Sequence, residues 1–113
     1  VFILQILKII KKNDRKSSEV YGASKASLIQ LTKYFANYMS NWHVNVNCIS
    51  PGGVENKLTQ TRNFIKRYSQ RVPLRRMAKD LEISNLILYL LSDESNYING
   101  ENIIIDGGYS SKL

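Results

Sequence analysis

The pattern of hydrophobic and polar positions predicts helices alternating with two short strands. In residues 1–12 the polar positions recur every three or four residues between apolar ones, which indicates a mostly buried helix. Residues 24–40 carry one broad apolar face, which predicts a second helix with Ser24 near its start. The residues of that face are Ala26, Leu28, Ile29, Leu31, Phe35, Ala36 and Met39.

The second half of the chain alternates in the same way. Val44, Val46, Cys48 and Ile49 form a strand that is apolar on both faces, as in a parallel sheet covered by helices, and Pro51 ends it. Residues 59–76 are polar and basic, and Pro73 interrupts any long helix there. Residues 80–91 predict a helix, and residues 103–105 a last strand. The expected buried positions of the helix 80–91 are Leu81, Ile83, Leu86, Ile87, Leu90 and Leu91.

Composition narrows the class of protein. The chain has 113 residues, 43% hydrophobic and 22% charged, which is typical of a globular domain. No apolar run is long enough to span a bilayer, and no signal-peptide cleavage pattern is present, so we expect a cytoplasmic protein without a membrane segment. Cys48 is the single cysteine, which excludes an internal disulfide and predicts a buried thiol.

The net charge of the chain raises one alternative, a nucleic-acid-binding protein. The net charge of +7 is compatible with a nucleic-acid partner. The basic residues are spread from Lys8 to Lys112 rather than forming one stripe, so we expect no nucleic acid. We also expect no metal, because no other histidine, cysteine or carboxylate lies at ligand spacing from His43, which is interpreted as a surface residue.

Tyr21 and Lys25 are the candidate catalytic residues. They are four positions apart at the beginning of a helix, so they share one face. An ammonium group beside a phenol stabilises the phenolate, and such a pair is suited to proton transfer. The alternative is an exposed tyrosine and a solvated lysine without a chemical role.

Three blocks carry a family resemblance. They are YGASKASLIQLTKYFA from Tyr21, VNVNCISPGGV from Val44, and RVPLRRMAKDLEISNLILYLLSDESNYINGENIIIDGG from Arg71. In this order they resemble the C-terminal half of the short-chain dehydrogenase/reductase family. The resemblance implies an α/β fold, the C-terminal part of a Rossmann-type doubly wound parallel sheet. No glycine-rich phosphate turn precedes Tyr21, so we expect residues 1–113 to be one partial domain without the dinucleotide-phosphate half. Residues 1–20 would be a divergent or truncated N-terminal segment, and residues 21–113 the C-terminal half of the family fold.

The resemblance also implies a chemistry. Tyr21 would be the general acid or base in hydride transfer between NAD or NADP and a carbonyl/alcohol substrate, and Lys25 would also bind the nicotinamide ribose. Pro51, Gly52 and Val54 match the turn that meets the nicotinamide carboxamide, and Asn56 stands where the family often has threonine. The family's active-site serine has no counterpart, because Ser17 and Ser18 lie too close to Tyr21.

The resemblance also implies which substrates and protein partners to expect. Residues 62–76 of this chain correspond to the stretch that forms a flap over the substrate in members of the family. Because this stretch is basic here, it suggests an anionic substrate. The same stretch, with Phe64 and Tyr68, is also compatible with a nucleic-acid groove. Family members pair through the helix after the tyrosine and the C-terminal strand region, so we expect a homodimer or homotetramer. The competing hypotheses are an inactive fragment or structural remnant and a basic nucleic-acid-binding module.

Overall fold

The computed structural model describes residues 19–111. Within that range, three helices and two strands follow one another as α1 (Glu19–Met39), β1 (Cys48–Pro51), α2 (Arg62–Arg71), α3 (Asp80–Leu91) and β2 (Asn102–Ile105). Short 3-10 turns at Ser40–Trp42 and Asp93–Ser95 follow α1 and α3. The helix expected in residues 1–12, together with Ser17 and Ser18, lies outside the described residues.

The two strands pair in parallel. Cys48 is opposite Asn102 and Pro51 is opposite Ile105, and α2 and α3 lie in the connection between the strands. This arrangement confirms the expected α/β class with a parallel sheet. Because parallel strands end at the same edge, Gly52 and Asp106 leave the sheet side by side. Ligands of open α/β sheets bind at this edge.

Strand β1 is shorter than the sequence pattern predicts, because it begins at Cys48 and not at Val44. Asparagine side chains replace the strand ladder in the preceding residues. The Val46 N–H donates to Asn99 Oδ1 at 2.8 Å, and Asn47 Nδ2 donates to the Ile98 carbonyl at 2.8 Å. Asn47 is 2% exposed, a buried polar position that the apolar pattern missed. Its amide is satisfied, because Oδ1 also accepts the Glu101 N–H at 3.1 Å.

Helix α1 begins at Glu19, so the predicted start near Ser24 is wrong. No proline interrupts residues 19–24, and a lone Gly22 does not stop a helix. Ser24 lies within the helix, where its hydroxyl donates to the Tyr21 carbonyl at 2.8 Å. Tyr21 and Lys25 are consequently both held in regular helix.

Helix α2 was not predicted from the sequence, where Pro73 indicated only that residues 59–76 contain no long helix. Thr61 caps the helix by accepting the Phe64 N–H at 3.2 Å. The helix ends at Arg71, and Val72 has the extended conformation (φ −91°, ψ 130°) that a residue before proline favours. Pro73 therefore limits the helix to ten residues without preventing it.

Helix α3 has the predicted bounds, Asp80–Leu91. Ile83 and Leu90 are buried as predicted, but Leu81 is 65% exposed and Leu91 is 57% exposed. The buried stripe of α3 within the described residues is therefore narrower than the predicted apolar face. Cys48 is fully buried, which confirms its prediction, and His43 is exposed, as expected.

A bidentate ion pair joins the start of α3 to the preceding loop. Arg76 Nη1 and Nη2 donate to Glu82 Oε2 and Oε1 at 2.7 and 2.6 Å, and the Lys79 N–H donates to Glu82 Oε2 at 2.8 Å. The Arg76 hydrogen bonds, followed by the one from Lys79, lower the pKa of Glu82 from 4.5 to about 2.

This ion pair predicts a pH dependence of stability. The folded pKa of Glu82 lies below the unfolded value, so its contribution is complete above about pH 4.5 and disappears as the pH falls toward 2. We expect the difference in unfolding free energy between the unmodified chain and Glu82→Gln to shrink over that interval. Urea unfolding of both proteins between pH 2 and pH 6 measures it, and a constant difference would contradict the assignment.

Within residues 19–111, no helix combines the length and the apolar character needed to cross a membrane.

Candidate functional site

Tyr21 and Lys25 lie together on α1. Lys25 Nζ is 5.5 Å from the centroid of the Tyr21 ring, within the range of a cation–π contact. Both residues are half-buried. The structure therefore brings together the two residues that the sequence identified for proton transfer, with the positive charge close to the phenol.

The C-terminal part of α1 is held beside the residues that precede β1. Asn99 joins α1 to the residues before β1, because its Nδ2 donates to the Ala36 carbonyl at 3.1 Å and its Oδ1 accepts the Val46 N–H. The chain reverses after Met39, where His43 has a left-handed conformation (φ 56°). Helix α1 also contacts β1 itself.

Gly52 follows β1 at the sheet edge. Its N–H donates to the Ile105 carbonyl at 3.0 Å, and a Cβ at this position would lie 2.8 Å from the Asp106 Cα. The sequence interpretation assigned the close approach at Gly52 to a ligand. In the structure the neighbour that requires glycine is the backbone of Asp106, while Pro51 before it is buried.

Gly53 lies directly under a tyrosine from α2. The Gly53 N–H donates to the Tyr68 hydroxyl at 2.6 Å, and a Cβ on Gly53 would lie 2.5 Å from the Tyr68 ring. The Gly53 carbonyl accepts the Ala78 N–H at 2.9 Å. Sequence reasoning missed Tyr68, and the second of two consecutive glycines was the one local signal of a close neighbour.

Val54 and Asn56 together hold a carboxamide. Gln60 Nε2 donates to the Val54 carbonyl at 3.0 Å, and the Asn56 N–H donates to Gln60 Oε1 at 2.8 Å. Asn56 Oδ1 accepts the Leu58 N–H at 3.0 Å, so its side chain stabilises the local turn. The turn thus presents an acceptor and a donor that match a primary amide, and Gln60 is a residue that sequence reasoning did not identify.

Aromatic and acidic side chains surround this turn. The Tyr68 ring stacks on that of Tyr109 with centroids 5.5 Å apart. Burial raises the pKa of Tyr68, the bond from Gly53 opposes this, and Tyr109 and Asp106 add to the increase. Burial also acts to raise the pKa of Asp106, but hydrogen bonds from Ser110 and Gly108 outweigh it, so the pKa is lowered. Asp106 is therefore a structural carboxylate that organises the end of β2.

A cavity of about 80 Å³ lies beneath α2, between the turn and the Arg76–Glu82 ion pair. Its walls include Gly53, Tyr68, Val72, Arg76, Glu82 and Asp106.

The basic residues of the expected flap differ in their surroundings. Arg76 is paired with Glu82. Those at the surface are Arg62, Lys66, Arg67, Arg71 and Arg75. Phe64 and Tyr68 are half-buried and lie 6.1 Å apart between ring centroids, and Tyr68 is further engaged by Gly53 and Tyr109. Rings occupied in this way do not favour a platform for stacking nucleic-acid bases.

Comparison with known protein sequences gives matches along nearly the whole chain. Residues 4–110 match the family described as enoyl-(acyl carrier protein) reductase. The chain is 40% identical over 90 residues to 3-oxoacyl-(acyl-carrier-protein) reductase FabG of Thermotoga maritima, covering 78% of this chain and 37% of that protein. It is 36% identical over 105 residues to D-arabinitol 2-dehydrogenase (ribulose-forming) of Candida tropicalis, covering 86% of this chain and 36% of that protein.

Solved structures of dehydrogenases are also similar to this chain over nearly its whole length. A short chain dehydrogenase from Leptospira borgpetersenii serovar Hardjo-bovis with bound NAD+ superimposes with a TM-score of 0.79 at 36% identity, covering 96% of this chain and 44% of that one. A 4-hydroxyisoleucine dehydrogenase complexed with NADH gives a TM-score of 0.80 at 29% identity, covering 99% and 48%. The chain thus spans less than half the length of each of these relatives.

Proposed function

Because this chain belongs to the short-chain dehydrogenase/reductase family, we propose that it provides the proton-transfer residues and the nicotinamide-facing turn of an NAD(P)-dependent oxidoreductase. The observation that carries the proposal is the Tyr21–Lys25 pair, with Nζ 5.5 Å from the ring centroid. The reaction class is the interconversion of a carbonyl and an alcohol.

The turn after β1 fits the nicotinamide end of such a cofactor. The Val54 carbonyl and the Asn56 N–H hold the carboxamide of Gln60, and the cofactor has the same group. Pro51, Gly52 and Val54 would face the nicotinamide, and Lys25 would bind the ribose. The NAD+ and NADH complexes of the two structural relatives support this cofactor class. When bound, the cofactor supplies or accepts the hydride.

The chain's own residues handle the proton. In reduction, the Tyr21 hydroxyl donates its proton to the carbonyl oxygen of the substrate, and in oxidation the phenolate takes the proton from the alcohol. Lys25 stabilises the negative charge that develops on the phenolate oxygen during reduction. The exposed basic residues on and after α2 support an anionic substrate.

Exposed aromatic side chains on α1 support self-association. Tyr34 and Tyr38 stack with centroids 6.0 Å apart, and Tyr38 lies 5.3 Å from Trp42. All three are more than half exposed, at 59%, 54% and 59%. A row of apolar surface of this kind is typical of an interface, so we keep the homodimer or homotetramer as a proposal.

The alternative is a structural remnant without catalysis, and one experiment separates the two. We would compare the purified 113-residue chain with a chimera in which the nucleotide-binding half of a family member precedes Tyr21. The six glycines of the chain form no phosphate-cradling pattern, so we expect the chain alone to show neither micromolar binding of NADH or NADPH by calorimetry nor turnover. We expect the chimera to bind cofactor and reduce carbonyl substrates.

Two outcomes would contradict these expectations. Micromolar binding by the chain alone would show that its own residues suffice for the dinucleotide. A chimera that binds cofactor but reduces neither neutral nor anionic carbonyl compounds would favour the structural remnant.

A further inference from the structure

We propose that Tyr68 is a positioning residue that fixes the peptide between Gly52 and Gly53 and thereby couples helix α2 to cofactor binding. The inference rests on the proposed function, because that function assigns Gly52 to the cofactor. It concerns a residue outside the three turn positions identified from the sequence.

Tyr68 contacts Gly53 in two ways. Its hydroxyl accepts the Gly53 N–H at 2.6 Å, and its ring covers the Gly53 Cα so closely that a Cβ would lie 2.5 Å from ring carbons. The methyl group of Met77 lies 2.9 Å from the same Cβ position. Gly53 is therefore enclosed by side chains.

The polar groups of Gly53 are both fixed by these surroundings. The N–H is held by Tyr68, and the carbonyl is held by the Ala78 N–H at 2.9 Å. Because a peptide unit is planar, the bond from the Gly53 N–H to Tyr68 also fixes the direction of the Gly52 carbonyl. Tyr68 thus sets the orientation of the backbone that would meet the nicotinamide.

Tyr68 is itself held in place from the sheet side. Its ring stacks on Tyr109 with an interplanar angle of 10°. Tyr109 follows the turn that Asp106 organises by accepting the N–H groups of Gly108 and Ser110 at 2.9 and 2.8 Å. The turn after β1, α2 and the end of β2 form one connected unit around the Tyr68 side chain.

This connection has a consequence for binding. Tyr68 belongs to α2, whose neighbouring surface residues are basic. If the position of Tyr68 changes the affinity for the cofactor, then bound cofactor changes the stability of α2 by the same factor. Cofactor binding would therefore order the helix that carries the candidate substrate contacts.

The first test is structural and independent of activity. Tyr68→Phe removes only the hydroxyl and keeps the stacked ring, and Tyr97→Phe is the matched control because Tyr97 is fully exposed. We expect the Gly53 amide of this chain to exchange with deuterium about tenfold faster in Tyr68→Phe, as for the loss of one half-buried hydrogen bond. Exchange in Tyr97→Phe should match that of the unmodified chain. Unchanged Gly53 exchange in Tyr68→Phe would overturn the proposal.

The second test uses the chimera described above. We expect Tyr68→Phe to raise KM for NADH or NADPH about tenfold while kcat changes less, since the turn is loosened but Tyr21 is untouched. A purely structural role would reduce the amount of active enzyme and leave KM unchanged, and that result would overturn the positioning role. If the chimera is inactive whichever residue occupies position 68, the proposed function fails, and the exchange experiment still decides whether Tyr68 fixes the turn.

Discussion

Replacing Tyr21 with phenylalanine is expected to reduce kcat of the chimeric enzyme by roughly a thousandfold, the middle of the range for removal of a general acid. The substitution removes one hydroxyl group and leaves the ring beside Lys25, so α1 keeps its packing. Binding of NADH should be nearly unchanged, because the lost step is proton donation. Steady-state kinetics and calorimetry on the same preparation measure the two effects.

The matched control for Tyr21 is Tyr34→Phe, on the same helix at a position that is 59% exposed. Its kcat should equal that of the unmodified chimera. Lys25→Met should weaken cofactor binding and lower kcat together, because Lys25 is assigned both to the ribose and to the phenolate. Retention of full kcat by Tyr21→Phe would show that the proton comes from another group, and the oxidoreductase proposal would lose its central residue.

The second large effect is expected at Gly52. A Cβ there would lie 2.8 Å from the Asp106 Cα and 2.9 Å from the Asp106 Cβ. Backbone atoms at the end of a paired strand cannot move aside as a side chain can, so Gly52→Ala should separate the ends of β1 and β2. We expect a loss of about 1–3 kcal/mol in the free energy of unfolding, as for overpacking in a tight interior. Urea unfolding followed by circular dichroism measures it.

Gly22→Ala is the control, because no heavy atom lies within 4 Å of the added Cβ and the residue is inside α1. We expect it to raise the free energy of unfolding by about 0.5–1 kcal/mol, the usual preference of a helix interior for alanine. Equal effects of the two substitutions would mean that β1 and β2 do not approach each other as described.

The elements that could be predicted from sequence are those governed by local pattern. Helix α3 has the predicted bounds because its apolar spacing and its first-turn acid both occur within twelve residues. Helix α2 was not predicted because its sequence signal, a single capping threonine at position 61, is weaker evidence for a helix than Pro73 is against one. The residues from Val44 were assigned to a strand because Val44 and Val46 continue the apolar pattern of Cys48 and Ile49. In the structure Asn47 is buried there, and its side chain donates to the Ile98 carbonyl.

In the candidate site, too, the residues related by local spacing could be predicted, and those related by contacts between distant parts of the chain could not. Tyr21 and Lys25 could be paired from their spacing, since residues four apart always meet on a helix. Tyr68 and Gln60 could not be identified, because their roles depend on contacts with Gly53 and Val54 that only the folded chain creates. The closeness of Gly52 to Asp106 could not be predicted either, because it depends on the pairing of β1 with β2.

The parallel pairing of β1 with β2 also determines the order of events when the chain folds. Ser50 donates a hydrogen bond to Asn102, a partner 52 positions later in the chain. During synthesis β1 leaves the ribosome long before β2 exists, so the backbone groups of β1 that pair with β2 stay without that partner until β2 has been translated. The helices α2 and α3 form from local contacts in the meantime, and closure of the sheet is expected to be the slow step.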